Sequence, residues 1–457
     1  MPIDLYLKNA RVVLEDGIVE GGVLVAGETI ADVVKGAPQV DARESVDLQG
    51  RYLLPGVVDA HVHFNQPGRD HWEGYRTGTM AAAAGGITTI LEMPLNATPP
   101  TIDAAQFDRK RAAVKDDAVV DYGLWGGIVN DNLSDLPGLH ERGAIGFKGF
   151  MSASGVDFAR VDDDLIYAGL LESKRLGNLI GLHAESEYVT GYLGRQMQAS
   201  GRTDRASWHE SRPPFTELEA VERACYWAGV TGGNLHIVHV SIAAGIAAIT
   251  RAKQNGVHVT AETCPHYLCL DEDDFVRLGP AAKCAPPLRS RENVEALWQC
   301  VLAGQVDTLG SDHSPCPWDD KAPGLENIWK AWGGIQGVQT MLPALLTEGV
   351  HRRGLSLPAL MKMLAANPAR LFGLYPRKGA IMPGADADLV ALDLDHVWTL
   401  TVDQLLYKNK HSAYVGREFR GRVQRTWVRG QTVYADGQIK AEPGYGKWLR
   451  RETPYAY

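Results

Sequence analysis

Between Leu5 and about Gly50 apolar and polar residues alternate, interrupted by the turn signals Leu7-Lys8-Asn9, Glu15-Asp16-Gly17 and Ala26-Gly27-Glu28. A period of two with short turns predicts antiparallel strands, because successive strand side chains point to opposite faces. The same texture returns near the far end, in Ala387-Asp388-Leu389-Val390-Ala391-Leu392 and from Gln424 to Tyr434. Two β-rich ends around a different middle predict one small discontinuous β domain, assembled from residues 1–52 and 380–457.

The middle, 53–379, repeats an amphipathic helix, a glycine stop and an apolar strand. Glu73 to Ala84 predicts a helix closed by Gly85-Gly86, followed by the strand Ile87 to Met93. Asp163 to Leu176 repeats the unit, with Gly177 as C-cap before Leu179-Ile180-Gly181-Leu182-His183. A helix opened by Thr216-Glu217 stops at Gly232-Gly233 before Asn234 to Val240; the next unit leads to Val257 to Ala261, and the one opened by Arg291-Glu292 leads to Val306 to His313. Strand–helix alternation of this kind predicts parallel βαβ units. The expected fold is therefore α/β: a (β/α)8 TIM-like barrel over 53–379, joined to a small β-sandwich domain formed by both chain ends.

Composition narrows the function classes. The 457 residues, 45% hydrophobic and 22% charged, are those of an ordinary soluble globular protein. No apolar run approaches the roughly 20 residues that span a bilayer, and Met1-Pro2-Ile3-Asp4 lacks the plan of a signal peptide, so a cytoplasmic location is expected. Six scattered cysteines have neither disulfide-scaffold density nor paired zinc-site spacing. A net charge of -9 with interspersed signs argues against a nucleic-acid partner and favours a small neutral substrate.

In a barrel the chemistry sits at the C-terminal ends of the strands. Those ends carry His61 and His63, Lys148, His183, His239 and Asp312. His61 and His63, one residue apart on a strand, share a face and can hold one metal ion. Core packing is a poor explanation for four histidines and an aspartate at equivalent places on separate strands. His236 is expected on the opposite face as a structural residue, and His266 and His313 as supporting groups around the ligands. Lys148, within Gly146-Phe147-Lys148-Gly149-Phe150, has two readings: its ammonium reaches solvent, or burial lowers its pKa from about 10.4 so that the neutral amine can take up carbon dioxide as a carbamate. A carbamate has two oxygens and can bridge two metals.

These residues carry a resemblance. The chain resembles the cyclic amidohydrolase branch of the amidohydrolase superfamily, which holds the dihydroorotases, hydantoinases or dihydropyrimidinases, and allantoinases. The resemblance runs through Pro55 to His63, Gly146-Phe147-Lys148, His183-Ala184-Glu185-Ser186, His239-Val240-Ser241, Glu262 to Leu268, Gly310 to Cys316, Asn367-Pro368-Ala369-Arg370 and Gly384 to Leu389. It implies two divalent metals, zinc first and manganese, cobalt or iron(II) as alternatives. His61 and His63 would hold the more buried ion, His183 and His239 the more exposed one, and Lys148 as N6-carboxylysine would bridge them. Asp312 would complete the first site and act as the catalytic proton shuttle. The implied reaction is hydrolytic opening of a cyclic amide, and homotetramers are common in the branch.

Within the branch, Asn65 stands where dihydroorotases carry an arginine for the substrate carboxylate. Ala153 stands five residues beyond the lysine, where hydantoinases carry a tyrosine. Both point to the allantoinases, which open the hydantoin ring of allantoin to allantoate in purine catabolism, with hydantoinase activity as the alternative. Gln66 departs from the acidic residue expected there. Asn96, Ser152, Ser154, Cys284, Ala285 and Gly333 are the expected substrate contacts. A non-catalytic scaffold would have lost ligands, and a mononuclear deaminase would not need Lys148.

Overall fold

The computed structural model describes residues 2–455. Parallel strands Val57–Val62, Ile87–Glu92 and Asp121–Leu124 form one run, and Gly126–Gly127, Phe147–Phe150, Ile180–His183, Leu235–Ile237, Val259–Thr263 and Thr308–Leu309 form another. The runs join on both sides. Asp121–Leu124 passes through Trp125 directly into Gly126–Gly127, and Ile145 N donates to Leu124 O at 3.1 Å. On the other side Val62 bridges His313, and His63 N donates to His313 O at 2.8 Å. With 121–127 taken as one strand, the described residues close an eight-stranded parallel barrel.

The predicted helices follow the residues that start and stop them. Asp163–Leu176 and Pro214–Thr231 end at Gly177 and Gly232 in the left-handed conformation, and Ala243–Gln254 and Arg291–Leu302 cover the next two units. The helix expected from Glu73 begins only at Tyr75, because Gly74 at φ 82 is not helical. The strand expected over Val306 to His313 shrinks to Thr308–Leu309. Beyond it the backbone is diverted: Ser311 N donates to Asp59 Oδ1 at 3.0 Å, and Asp312 sits at φ 43.

The barrel interior is filled, as a barrel of this size must be. Trp125 is buried in it, with Nε1 donating to Ala60 O at 3.1 Å. A Cβ at Gly146 would lie 2.6 Å from that indole and one at Gly181 2.9 Å, so both positions must be glycine for the ring to fit. The chemistry is thereby confined to the top of the barrel.

The chain ends meet in one nine-stranded sheet. Tyr52–Pro55 lies at its centre, parallel to Ile3–Leu14 and antiparallel to Leu389–Thr399. The sheet has its own core, including Leu7, Val12, Val23, Leu53, Leu389 and Trp427. The last part of the chain leaves this sheet and runs along the barrel: Tyr122 N donates to Lys447 O at 3.0 Å and Leu449 N to Tyr122 O at 2.7 Å.

Where sheet and barrel meet, Lys378 is fully buried among Asp121, Asp386 and Asp388, with N–O distances of 2.5, 2.9 and 2.8 Å. Burial alone would lower its pKa, but Asp388, Asp121 and Asp386 hold it above the ordinary lysine value. Removing one partner of a buried ionic cluster leaves the others uncompensated, at about 3–5 kcal/mol. Lys378→Met is therefore expected to lower stability on that scale, read as a lower denaturation midpoint. A variant as stable as the parent would show that the cluster contributes no net stability.

Candidate active site

Each expected metal ligand lies at the top of the barrel because a strand ends there. His61 is the penultimate residue of Val57–Val62, His63 follows it, Lys148 lies in Phe147–Phe150, and His183 ends Ile180–His183. His239 and Asp312 follow the short strands Leu235–Ile237 and Thr308–Leu309, at φ 41 and 43. Non-glycine residues seldom hold a left-handed backbone, and such strain concentrates at functional positions.

The structure brings these side chains together. The ligand atoms of His61, His63 and Asp312 lie within 4.8 Å of one another, and Asp312 Oδ1 is 3.3 Å from His61 Nε2 and 3.4 Å from His63 Nε2. Beside this cluster His183 Nδ1 and His239 Nε2 are 3.1 Å apart, and the His61 and His239 ring centroids are separated by 5.3 Å. Lys148 is fully buried, 4.8 Å from the centre of the Phe150 ring. Burial lowers its pKa to about 7, although Asp312 and Glu262 pull it up. This excludes the reading in which its head reaches solvent.

The donor set suits a metal. Interiors pair their polar atoms, yet His63 Nδ1, His239 Nδ1 and Lys148 Nζ are buried without a hydrogen-bond partner. Burial lowers His63 to about 4 despite Asp312, and it lowers His183 and His239 as well. Neutral imidazoles are the form that binds metal.

Among the groups that support these residues, His236, His266 and His313 are expected from the sequence, whereas Glu262 and Glu185 are not. Glu262 Oε1 lies 2.7 Å from His61 Nδ1, which fixes the proton there and leaves Nε2 as the free donor. Burial would raise Glu262, but His61 and His236 hold it down at about 2. His236 is bonded to Thr260 Oγ1 at 2.8 Å and stands 3.7 Å from Glu262, so it braces this carboxylate. Glu185 Oε2 bonds His183 Nε2 at 2.8 Å and is itself paired with Arg212. His313 Nδ1 accepts from Gly337 N at 3.1 Å and its Nε2 faces Glu73 at 3.7 Å, while His266 is buried with Nε2 unpaired. Both glutamates lie inside the sequence motifs; their one signal was to be acids beside a ligand or at the end of the neighbouring strand.

The cluster opens into a cleft of about 540 Å³, mouth included. Its walls include Asn96, Ser154, Cys284, Ala285 and Gly333 from the expected contacts, together with Ala153. Leu95, Phe150, Ser314, Trp332 and Gly334 also line it and were not expected to. Ser152 does not line it: the side chain is buried, with its hydroxyl unpaired. Nor does Asn65. At φ 67 its N–H turns to Glu92 Oε1 at 3.0 Å and its amide nitrogen to Pro315 O at 3.5 Å. Gln66 braces a turn through Tyr75 N, Ala113 O and Asp117.

Residues 52–433 match the amidohydrolase family. The chain belongs to that family. Its amidohydrolase relatives include allantoinases from Rubrobacter xylanophilus, 50% identical over 95% of this chain and 96% of the relative, and Deinococcus radiodurans, 44% identical over 98% and 99%. The allantoinase of Escherichia coli K12 is 43% identical over 95% of this chain and 96% of its own. Among solved structures, the L-hydantoinase (dihydropyrimidinase) of Arthrobacter aurescens superimposes with a TM-score of 0.96 at 38% identity, covering 98% of this chain and all of that one. As an amidohydrolase the protein is a metal-dependent hydrolase of cyclic amides, and His61, His63 and Asp312 form a metal-competent cluster.

Proposed function

We propose that the protein opens the hydantoin ring of allantoin to give allantoate. The observation that carries this reading is near full-length identity of 43–50% to several allantoinases, combined with a cleft wall in which Ala153 is small. His61, His63 and Asp312 would hold one divalent ion and His183 and His239 the other, zinc being the first choice for nitrogen and oxygen donors without thiolate. Lys148, as its carbamate, would lie between them. Two such ions supply a water that is deprotonated near neutral pH and an electrophile for the scissile carbonyl.

The side chains do the rest. Asp312 takes the proton of the attacking water and delivers it to the departing ring nitrogen. Glu262 and Glu185 hold His61 and His183 in fixed tautomers throughout. Ala153 leaves room for the ureido arm. Asn65 is uncharged and is not among the residues that line the cleft.

Allantoin is expected to be opened in preference to hydantoin, dihydrouracil and dihydroorotate by a metal-loaded preparation, because a site that hydrogen-bonds a ureido group rejects rings lacking it. Ala153→Tyr should reverse the order, crowding out allantoin while sparing the smaller rings. Faster opening of hydantoin or dihydrouracil by the parent protein would replace this reading with a hydantoinase.

We place the enzyme in the cytoplasm; no helix among the described residues is long and apolar enough to cross a membrane. We also propose a homotetramer. Exposed Tyr167, Leu171, Tyr226 and Val230, on neighbouring helices Asp163–Leu176 and Pro214–Thr231, provide an apolar surface for self-association. Sedimentation as a monomer at micromolar concentration would remove that part.

A further inference from the structure

Two buried lysines that the proposed chemistry does not use lie behind one wall of the cleft. Lys283 precedes Cys284 and Ala285, and its Nζ donates to Ile328 O at 2.9 Å and Ala331 O at 2.6 Å. It stands 4.2 Å from the centre of the Trp208 ring, whose Nε1 donates to Cys284 O at 2.9 Å. Lys321 is buried, and its Nζ donates to Gly334 O at 2.5 Å. Neither lysine forms an ion pair with a carboxylate among the described residues. A buried amine without a carboxylate partner is costly unless it is hydrogen-bonded, and the carbonyls that serve these two lie between Ile328 and Gly334.

The segment Ala331-Trp332-Gly333-Gly334 is held through main-chain hydrogen bonds at every residue except Gly333. Lys283 grips Ala331 O, Trp332 N donates to Asp320 O at 2.8 Å, and Gly334 N donates to Lys283 O at 2.7 Å. Gly334, at φ 155, packs so tightly that a Cβ would lie 2.4 Å from Ser314 O. At Gly333 a Cβ would meet nothing within 4 Å, so its backbone faces open space. The Lys283 main chain also continues into Cys284 and Ala285, which line the cleft beside Gly333.

We propose that Lys283 and Lys321 are positioning residues for substrate selection, a two-point hydrogen-bonding clamp that holds the 331–334 segment against 283–285 and so sets the width of the cleft. This inference rests on the reading of the cleft as the substrate site. A wall touched equally by substrate and transition state affects KM rather than kcat. The clamp lies behind the wall and outside the metal cluster, so metal content is not involved.

The test compares Lys283→Met and Lys321→Met with the parent, metal-loaded, in two measurements. The first is hydrogen exchange of the 331–335 amides, which needs no substrate; exchange at least about tenfold faster there than in the rest of the barrel is expected. The second is steady-state kinetics with allantoin and dihydrouracil. KM for allantoin should rise about tenfold or more with kcat within about threefold, and the preference for allantoin over dihydrouracil should fall. Lys283→Gln and Lys321→Gln, which keep a donor, should restore part of the protection and of the KM, and they serve if the methionine variants fail to fold. Unchanged exchange at 331–335 in folded variants overturns the clamp. So does a loss in kcat with KM unchanged, or a lowered melting temperature with neither quantity altered. If the parent ignores allantoin altogether, the substrate reading fails while the exchange measurement still decides the clamp.

Discussion

Lys148→Ala is expected to lose activity on the order of 10⁴-fold, the scale seen when one member of a catalytic unit is removed, and to regain part of it when a small carboxylic acid is added. The amine is buried, without a hydrogen-bond partner, and burial brings its pKa to about 7. For a lysine this lowering favours the neutral form, whose fraction grows as the pH rises through about 7. The neutral amine adds to carbon dioxide, forming a nitrogen–carbon bond and releasing one proton, and the cation becomes an anion with two oxygens. Alanine leaves the space of that group without its charge, which an exogenous carboxylate can restore. Native mass spectrometry should find one carbon dioxide and two metals in the parent and no carbon dioxide in the variant. Near-normal turnover by Lys148→Ala with both metals in place would sink the bridging role.

Asp312→Asn is expected to lower kcat by about 10²–10⁴-fold, the range for a general acid–base group, with KM little changed. The carboxylate is held near both His61 and His63, and although burial would raise its pKa, His61, His63 and His239 keep it well below the ordinary value. An amide keeps an oxygen for the ligand position but cannot accept the proton. Metal content measured alongside separates the two roles. A variant with both metals whose whole defect lay in KM would contradict proton transfer by Asp312.

The positions of the candidate ligands were legible because strand periodicity is local: His61 and His63 must share a face, and His183, His239 and Asp312 fall at ends that glycine stops and apolar runs mark. Past a strand end that logic stops working. Asn65 stands where dihydroorotases carry a substrate-facing arginine, but its own bonds go to Glu92, 27 residues on, and to Pro315, 250 residues on. Ser152, buried and outside the lining of the cleft, lies at the start of a loop whose course no short pattern dictates. The supporting carboxylates escaped notice because Glu262 and Glu185 acquire their meaning only when the barrel brings neighbouring strands together. Trp332 and Gly334 line the cleft on a segment whose carbonyls are bonded by Lys283 and Lys321, contacts that no local pattern announces. The barrel itself was readable from its repeat, whereas the return of the final residues to Tyr122 had no periodic signal to announce it.

The central place of Tyr52–Pro55 in the sheet has a consequence for the order of events on the ribosome. This strand is made early, and one flank can pair at once with Ile3–Leu14. Its other partner, Leu389–Thr399, is translated only after the whole barrel. At about 5–20 residues per second that interval lasts on the order of tens of seconds. For that time the nascent chain carries an open strand edge with two buried-to-be leucines, Leu53 and Leu54, a template for pairing with a neighbouring chain on the same message.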